Sequence, residues 1–454
     1  MTGSGTNVLS DIPTAKEGNS RMKNIYLTIL PVSTGVRDLL RLGMVDELLS
    51  LSDEVRVILV TPAHTVPEFH EEFAGPRVVI RAHSMFEGFP GRRLPQAVLN
   101  ACMAIQRKAS GRRLMRLVSR IQTWLMALDE DKIAGLFTEF PPSLVVSSHP
   151  LMISDWRLFY AAKRRRIPTL AIVRSWDNIL KGLKILPDFL AVWNEINRKE
   201  AMDRYGYTEN EVIVTGSPPF DRYFLPGTLQ PRDAYLSAAG LNPGRPVIVY
   251  ATLGQFHYAY DETFLLDLLL KLADEHDELA EAQIVCRLHP MSQIRYFWKY
   301  TTNPRVTLSF PKTYDKTIGW SMTVEEADDS ANLLCHADVV ITPTSTMMLE
   351  APIFDTPTIL PIFSTVQPEL AERYFGGLAL KQHCKPLAEK EWLPFVRSEQ
   401  ELADALLQAI RDPELGREGR LAVVEEYVPF RDGKCGERVA RLILDLMRSN
   451  QSSA

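Results

Sequence analysis

Apolar residues along the chain recur in two rhythms. Short β-branched runs predict strands at 24–31, 55–61, 77–81, 143–148, 168–173, 188–192 and 211–215, then at 246–251, 283–288, 305–310, 338–342 and 357–363. Between the first two runs, Val36, Leu39, Leu40, Val45, Leu48 and Leu49 fall at helical spacing, and another helix is expected at about 262–274. From about 398 onward the pattern is helical, in segments at 399–410, 413–428 and 434–448. Strands apolar on both faces, alternating with amphipathic helices, predict an α/β fold of parallel sheets covered on both sides. A Pro- and Gly-rich break at 216–246, containing GSPPFDRYFLPG and LNPGRP, interrupts the rhythm. It divides the chain into a Rossmann-like half at 22–228, a linker at 229–245 and a second Rossmann-like half at 246–420, the halves facing a cleft. C-terminal helices at 421–454 are placed to cross back to the first half. Residues 1–21, rich in Gly, Ser, Thr and Asn, read as a loose tail.

Composition narrows the class. The 454 residues are 46% hydrophobic and 24% charged, which excludes a mainly disordered chain. Lys and Arg total 51 against 56 Asp and Glu, a net charge of -5 that argues against a general nucleic-acid binder. Five scattered cysteines without a CxxC pair point to reduced thiols and a cytoplasmic setting. No apolar run reaches the roughly 18–20 residues that span a bilayer, and IYLTILPVSTG reads as a first strand rather than a secretion signal. One stretch is out of balance. Residues 92–120 hold Arg92, Arg93, Arg107, Lys108, Arg112, Arg113, Arg116 and Arg120, interleaved with Leu94, Val98, Ile105, Leu114, Leu117 and Val118. That pattern fits a solvated helix face, or a peripheral contact with an anionic membrane.

In open parallel sheets ligands bind beyond the carboxyl ends of strands, so the residues that follow each strand are the candidates for chemistry. After VIVYA come Thr252, Gly254 and Gln255, a small-residue turn whose N–H groups would suit a phosphate. After QIVCR come His289 and Pro290; the proline stops the strand and leaves an imidazole at its end, able to offset charge on a departing phosphate. After DVVIT come Thr344, Ser345 and Thr346 at a helix start, an anion site or a plain cap. Glu350 falls one turn deeper on the same face, where a carboxylate can accept two hydrogen bonds from a ribose diol, or merely be solvated.

The ordered set RLHP (287–290), ADVVITPTSTMMLEAPIFDTPTI (337–359) and DGKCGERVARLI (432–443) resembles the nucleotide-binding half of GT-B glycosyltransferases. The chain is most similar to bacterial surface-carbohydrate enzymes and to the CDP-glycerol glycerophosphotransferase group. SWDNILKG (175–182) and VIVTGSPPFD (212–221) extend the likeness into the first half, over residues 140–445 in all. The resemblance implies a nucleotide held mainly by the second domain, an acceptor held by the first, no metal, and no cofactor beyond the nucleotide-activated substrate. It implies donor-phosphate contacts for His289, Ser345 and Thr346 and a ribose contact for Glu350. Retaining members often carry a second Glu eight residues before the ribose Glu; here that position is Thr342, which favours inversion. An inverting transfer needs a base in the first domain. The candidates are His149, preferred because it titrates nearer neutrality, then Asp177 and, behind them, His64. The resulting expectation is a glycosyltransferase moving a sugar from a nucleotide donor to a hydroxyl of a surface-polysaccharide or lipid-linked acceptor. Glycerophosphoryl transfer, sugar-nucleotide 2-epimerisation and silent nucleotide-sugar binding are the alternatives.

Overall fold

The computed structural model describes residues 22–30, 34–254, 261–289, 292–310, 314–315, 319–320, 322–373 and 384–451; the expected tail at 1–21 lies outside them. Fifteen strands lie along the described chain: β1 (Lys23–Thr28), β2 (Val55–Thr61), β3 (Val78–Ala82), β4 (Pro142–Ser147), β5 (Thr169–Ile172), β6 (Phe189–Val192), β7 (Val212–Val214), β8 (Val247–Ala251), β9 (Gln283–Arg287), β10 (Val306–Ser309), β11 (Tyr314–Asp315), β12 (Gly319–Trp320), β13 (Val339–Ile341), β14 (Thr358–Pro361) and β15 (Phe395–Val396). The first seven form one sheet in the order β3-β2-β1-β4-β5-β6-β7, with every pairing parallel. A second parallel sheet runs β10-β9-β8-β13-β14-β15, and β11 and β12 make a separate antiparallel pair.

The burial of the strands explains the parallel pairing. Every residue of β8, β13 and β14 is buried, as are all of β1 and β2 except their early positions. Helix Thr263–Glu275 covers one face of the second sheet with Phe264, Leu265, Leu268, Leu269 and Leu272. The helix Cys435–Gln451 belongs with the first sheet. Its Val439, Ala440, Ile443, Leu444 and Met447 join the cluster built on Ile25, Leu27, Val55 and Val57. Asp221 fixes where it starts, accepting the Cys435 and Gly436 N–H groups at 2.8 and 2.7 Å, which satisfies two otherwise orphaned donors. The chain comes close there: at Gly216, with φ +82, a Cβ would lie 2.5 Å from Cys435 Sγ.

In each sheet the connections reverse direction at one place, between β1 and β4 in the first and between β8 and β13 in the second. The crevice outside the carboxyl ends of strands at such switch points is where ligands bind in this architecture. Loops following β1, β5, β8, β9 and β13 all reach one cleft between the sheets.

The basic stretch forms two packed helices, Arg93–Lys108 and Arg112–Leu125. Their inner faces bury Leu99, Cys102, Met115, Val118 and Leu125, with a buried Gln122–Gln106 hydrogen bond of 3.1 Å between them. The outer face of the second exposes Arg113, Arg116, Leu117, Arg120 and Trp124, with Leu117 53% and Trp124 65% accessible. Among the described residues no helix is long and apolar enough to cross a membrane.

Candidate active site

The cleft has a volume of about 610 Å³ and draws its walls from both sheets. The first-domain side contributes Thr34, Arg37, Arg174, Asp177 and Lys181; the second contributes Thr252, Arg287, His289, Thr344, Ser345, Thr346 and Glu350. Seven sequence-derived candidates therefore meet there: Asp177, Thr252, His289, Thr344, Ser345, Thr346 and Glu350. Gln255 and Pro290 lie outside the described residues. His149 does not line the cleft.

The geometry around His149 shows why. Arg174, two residues beyond β5, donates Nη2 to His149 Nε2 at 2.8 Å. A guanidinium only donates, so Nε2 accepts and the ring proton belongs on Nδ1, 2.6 Å from Ser148 Oγ; that hydroxyl in turn donates to the Thr28 carbonyl at 2.5 Å. Burial, then Arg174 and His83, hold the imidazole well below its ordinary range, so it is neutral at pH 7. The expectation of an imidazole open to the acceptor is corrected: His149 lies behind Arg174 and holds it. His64, in the turn Pro62–Thr65, does not line the cleft either.

Asp177 does face the cleft, at the start of the short helix Asn178–Lys181. Its Oδ1 accepts from Ser175 Oγ at 2.8 Å and Asn178 Nδ2 at 3.1 Å, and its Oδ2 pairs with Lys181 Nζ at 2.5 Å. Trp176 beside it is buried and meets Tyr427 edge-on at 5.9 Å.

The turn after β8 is a second correction. The Leu253 and Gly254 N–H groups are not open to a phosphate, because both donate to the Glu262 carboxylate, Gly254 at 3.1 Å. Burial pushes that carboxyl up to about 7 despite the two donors. Thr252 is also committed. Its Oγ1 accepts the His289 N–H at 2.8 Å and lies 3.0 Å from Ser292 Oγ. Gly254, at φ +86, leaves room for the imidazole, since a Cβ there would stand 2.7 Å from His289 Nδ1. The turn thus positions His289 through packing.

At the helix start after β13, Ser345 Oγ accepts the Met347 N–H at 3.2 Å and sits 2.7 Å from Thr342 Oγ1, so this hydroxyl is already engaged in the turn that leads into the helix. Thr344 and Thr346 line the cleft beside it. Glu350 accepts from Tyr223 Oη at 2.5 Å. Its carboxyl is raised by burial, opposed by that bond and by the Arg37 and Arg287 charges.

Sequence reasoning missed Arg37, Arg174, Arg287, Lys181 and Tyr223. Four of these are cations, and Arg287 is anchored by Ser309 Oγ at 3.0 Å and by Asp329 at 3.6 Å. Arg174 and Arg287 stand at or just past strand ends, so a rule taking every polar residue there, rather than the first His, Ser or Thr, would have found them. Arg37 was hidden in a helix read only for its apolar spacing. That helix is a widened π-turn, Val36–Arg41, a form common at functional sites, and it sets Arg37 on the first-domain wall with its ion-pair partner Asp38 buried.

A cleft lined by cations, with, among the described residues, one histidine at a strand end and one carboxylate on each wall, can hold a nucleoside diphosphate and move a group from it. Solved structures sharing this two-sheet architecture include the UDP-GlcNAc 2-epimerase of Methanocaldococcus jannaschii, 15% identical with a TM-score of 0.52 over 93% of this chain and 99% of that one. The S. aureus MnaA–UDP structure aligns at 15% identity and TM-score 0.52, covering 94% and 98%. The wall teichoic acid polymerase TagF aligns at 12% and 0.52, covering 96% and 91%. At such identities the likeness shows the GT-B fold alone. No curated protein sequence matches the chain. Residues 168–445, more than half of the chain and the greater part of the cleft, match the family described as CDP-Glycerol:Poly(glycerophosphate) glycerophosphotransferase. The chain belongs to that glycerophosphotransferase family and has the GT-B fold.

Proposed function

We propose that the chain transfers a polyol phosphate, glycerol phosphate in the first instance, from a CDP-activated donor to a hydroxyl of a cell-envelope polymer or lipid-linked acceptor. The family match carries this reading, because it spans Arg174, Asp177 and every second-domain residue of the cleft. It favours a polyol phosphate over the sugar expected from sequence. The acceptor oxygen attacks the phosphorus bearing glycerol, the bond from that phosphorus to the bridging oxygen breaks, and CMP leaves with the electron pair. Asp177, which among the described residues is the one carboxylate lining the first-domain wall, takes the acceptor proton. His289 and Arg287 meet the charge growing on the leaving phosphate, and Glu350 takes the ribose hydroxyls.

The exposed Arg113, Arg116, Leu117, Arg120 and Trp124 support a peripheral contact with an anionic membrane, where a lipid-linked acceptor would be presented. The test of the transfer itself is the nucleotide formed. Phosphoryl-centred transfer releases CMP, whereas glycosyl transfer breaks a carbon–oxygen bond and releases a nucleoside diphosphate. Acceptor-dependent CMP from CDP-glycerol is expected. A diphosphate formed from a sugar donor, with CDP-glycerol inert, would overturn the reading.

A further inference from the structure

Two guanidiniums on the first-domain wall have no part in the donor scheme. Arg174 donates Nε to the Ser148 carbonyl at 2.7 Å, Nη1 to Thr34 Oγ1 at 2.9 Å and Nη2 to His149 at 2.8 Å. Arg37 donates Nε to Asp38 at 2.6 Å and Nη1 to Met322 Sδ at 3.4 Å. An arginine carries five N–H donors, so these bonds fix both forks while leaving each with donors for a ligand. The side chains are only 13% and 20% exposed, and both line the cleft.

Carboxylates flank both guanidiniums. Asp38, 1% exposed, is the shared carboxylate, bonded to Arg37 and to Thr34 Oγ1 at 2.6 Å and lying 3.7 Å from Arg174. His149 behind Arg174 is neutral and contributes only an acceptor. Asp155 also acts on the Arg174 charge and Glu350 on that of Arg37, so both guanidiniums are compensated, and what they offer an entering phosphate is their unused, fixed N–H donors.

We propose that Arg174 and Arg37, braced by Thr34 and Asp38, form a phosphate subsite on the first-domain side of the cleft, which takes the phosphate ester next to the attacking hydroxyl of the acceptor. The planar fork suits a tetrahedral oxyanion better than a point charge does. Arg174 and Asp177 share the loop after β5, so one loop holds the acceptor's phosphate and receives its proton. This inference rests on the acceptor entering from the first-domain side, as proposed above. His149 serves it as a positioning residue for Arg174.

The experiment is calorimetric titration of the full chain with sn-glycerol 3-phosphate in the presence of saturating CMP and, separately, with CDP. Arg174→Gln and Arg37→Gln should each lower glycerol 3-phosphate affinity about tenfold or more, Arg174→Lys less, while CDP affinity changes by less than about threefold. Circular dichroism checks folding; if Arg174→Gln does not fold, Arg37→Gln and Arg174→Lys carry the test. Glycerol 3-phosphate binding that is absent in the parent, or unchanged in the glutamine variants, overturns the subsite. A parallel loss of CDP would give these arginines to the donor phosphates and overturn the acceptor assignment. If glycerol 3-phosphate binding depends on both arginines but CDP-glycerol is not turned over, the subsite stands and the donor reading falls.

Discussion

At the scale of single residues, the account turns on groups whose protonation and partners differ from what their type suggests. Asp177→Ala should lower turnover on the order of 10²–10⁴-fold with CDP affinity little changed, since the carboxylate lies across the cleft from the nucleotide wall. Equal losses in turnover and nucleotide binding would remove it as the base. Glu350→Ala should weaken CDP by about 10–100-fold through lost charge-assisted hydrogen bonds, and the loss should shrink for the 2′,3′-dideoxy form, which offers no diol. A ligand-independent loss would mean that the Tyr223–Glu350 bond serves only folding. Glu262 sets a pH dependence whose sign follows from its burial. Its carboxyl rises from 4.5 to about 7 in the folded chain. The folded state therefore binds this proton more tightly than the unfolded state does. The associated stability is fully present below about 4.5 and is lost as pH rises through about 7, on the order of 3 kcal/mol at most. Glu262→Gln cannot titrate. The difference in thermal midpoint, parent minus variant, should fall as pH is raised across that window; a flat difference contradicts the assignment. Any donor–donor mismatch between the glutamine amide and the Gly254 N–H is independent of pH and leaves that slope unaffected.

At the scale of elements, twelve strands are legible as apolar runs, because most are buried on both faces; the edge strands β3 and β10 are only partly covered. Their ends shift by up to three residues, as at 24–31 against Lys23–Thr28 and 357–363 against Thr358–Pro361. β15 was missed because it is two residues long and follows Pro394, too short to show a period. The candidate site was half legible for a related reason. Loop residues after strands can be counted off, but which of their donors are already taken depends on distant partners. Glu262, eight residues beyond Gly254, silences the turn after β8, and Arg174 covers His149 from another strand. The basic helices were seen in composition, yet only their packing separates the inner Met115 and Val118 from the outer Leu117 and Trp124. If that outer face meets anionic lipid, replacing Arg113, Arg116 and Arg120 by Glu should abolish sedimentation with phosphatidylglycerol vesicles, and Trp124 fluorescence should shift to the blue in the parent alone. Parent protein that ignores such vesicles would leave this a solvated face.

At the scale of the whole molecule, two parallel sheets turn their switch points toward one another and enclose cations from both sides. The GT-B fold accounts for where the cleft is, and the side chains in it account for what it can do. The fold is shared with epimerases acting on sugar nucleotides and with a polymerase of wall teichoic acid, so architecture does not select the bond that breaks. The most direct measurement follows that bond. CDP-glycerol carrying ³²P only in the phosphate attached to glycerol is incubated with the full chain and a glycerol-phosphate-primed acceptor, and the products are separated. The account predicts label in the acceptor, in equal amount to the CMP released, and unlabelled CMP. Label retained in a nucleoside diphosphate, with glycerol alone transferred, or no acceptor-dependent release of nucleotide, would contradict it.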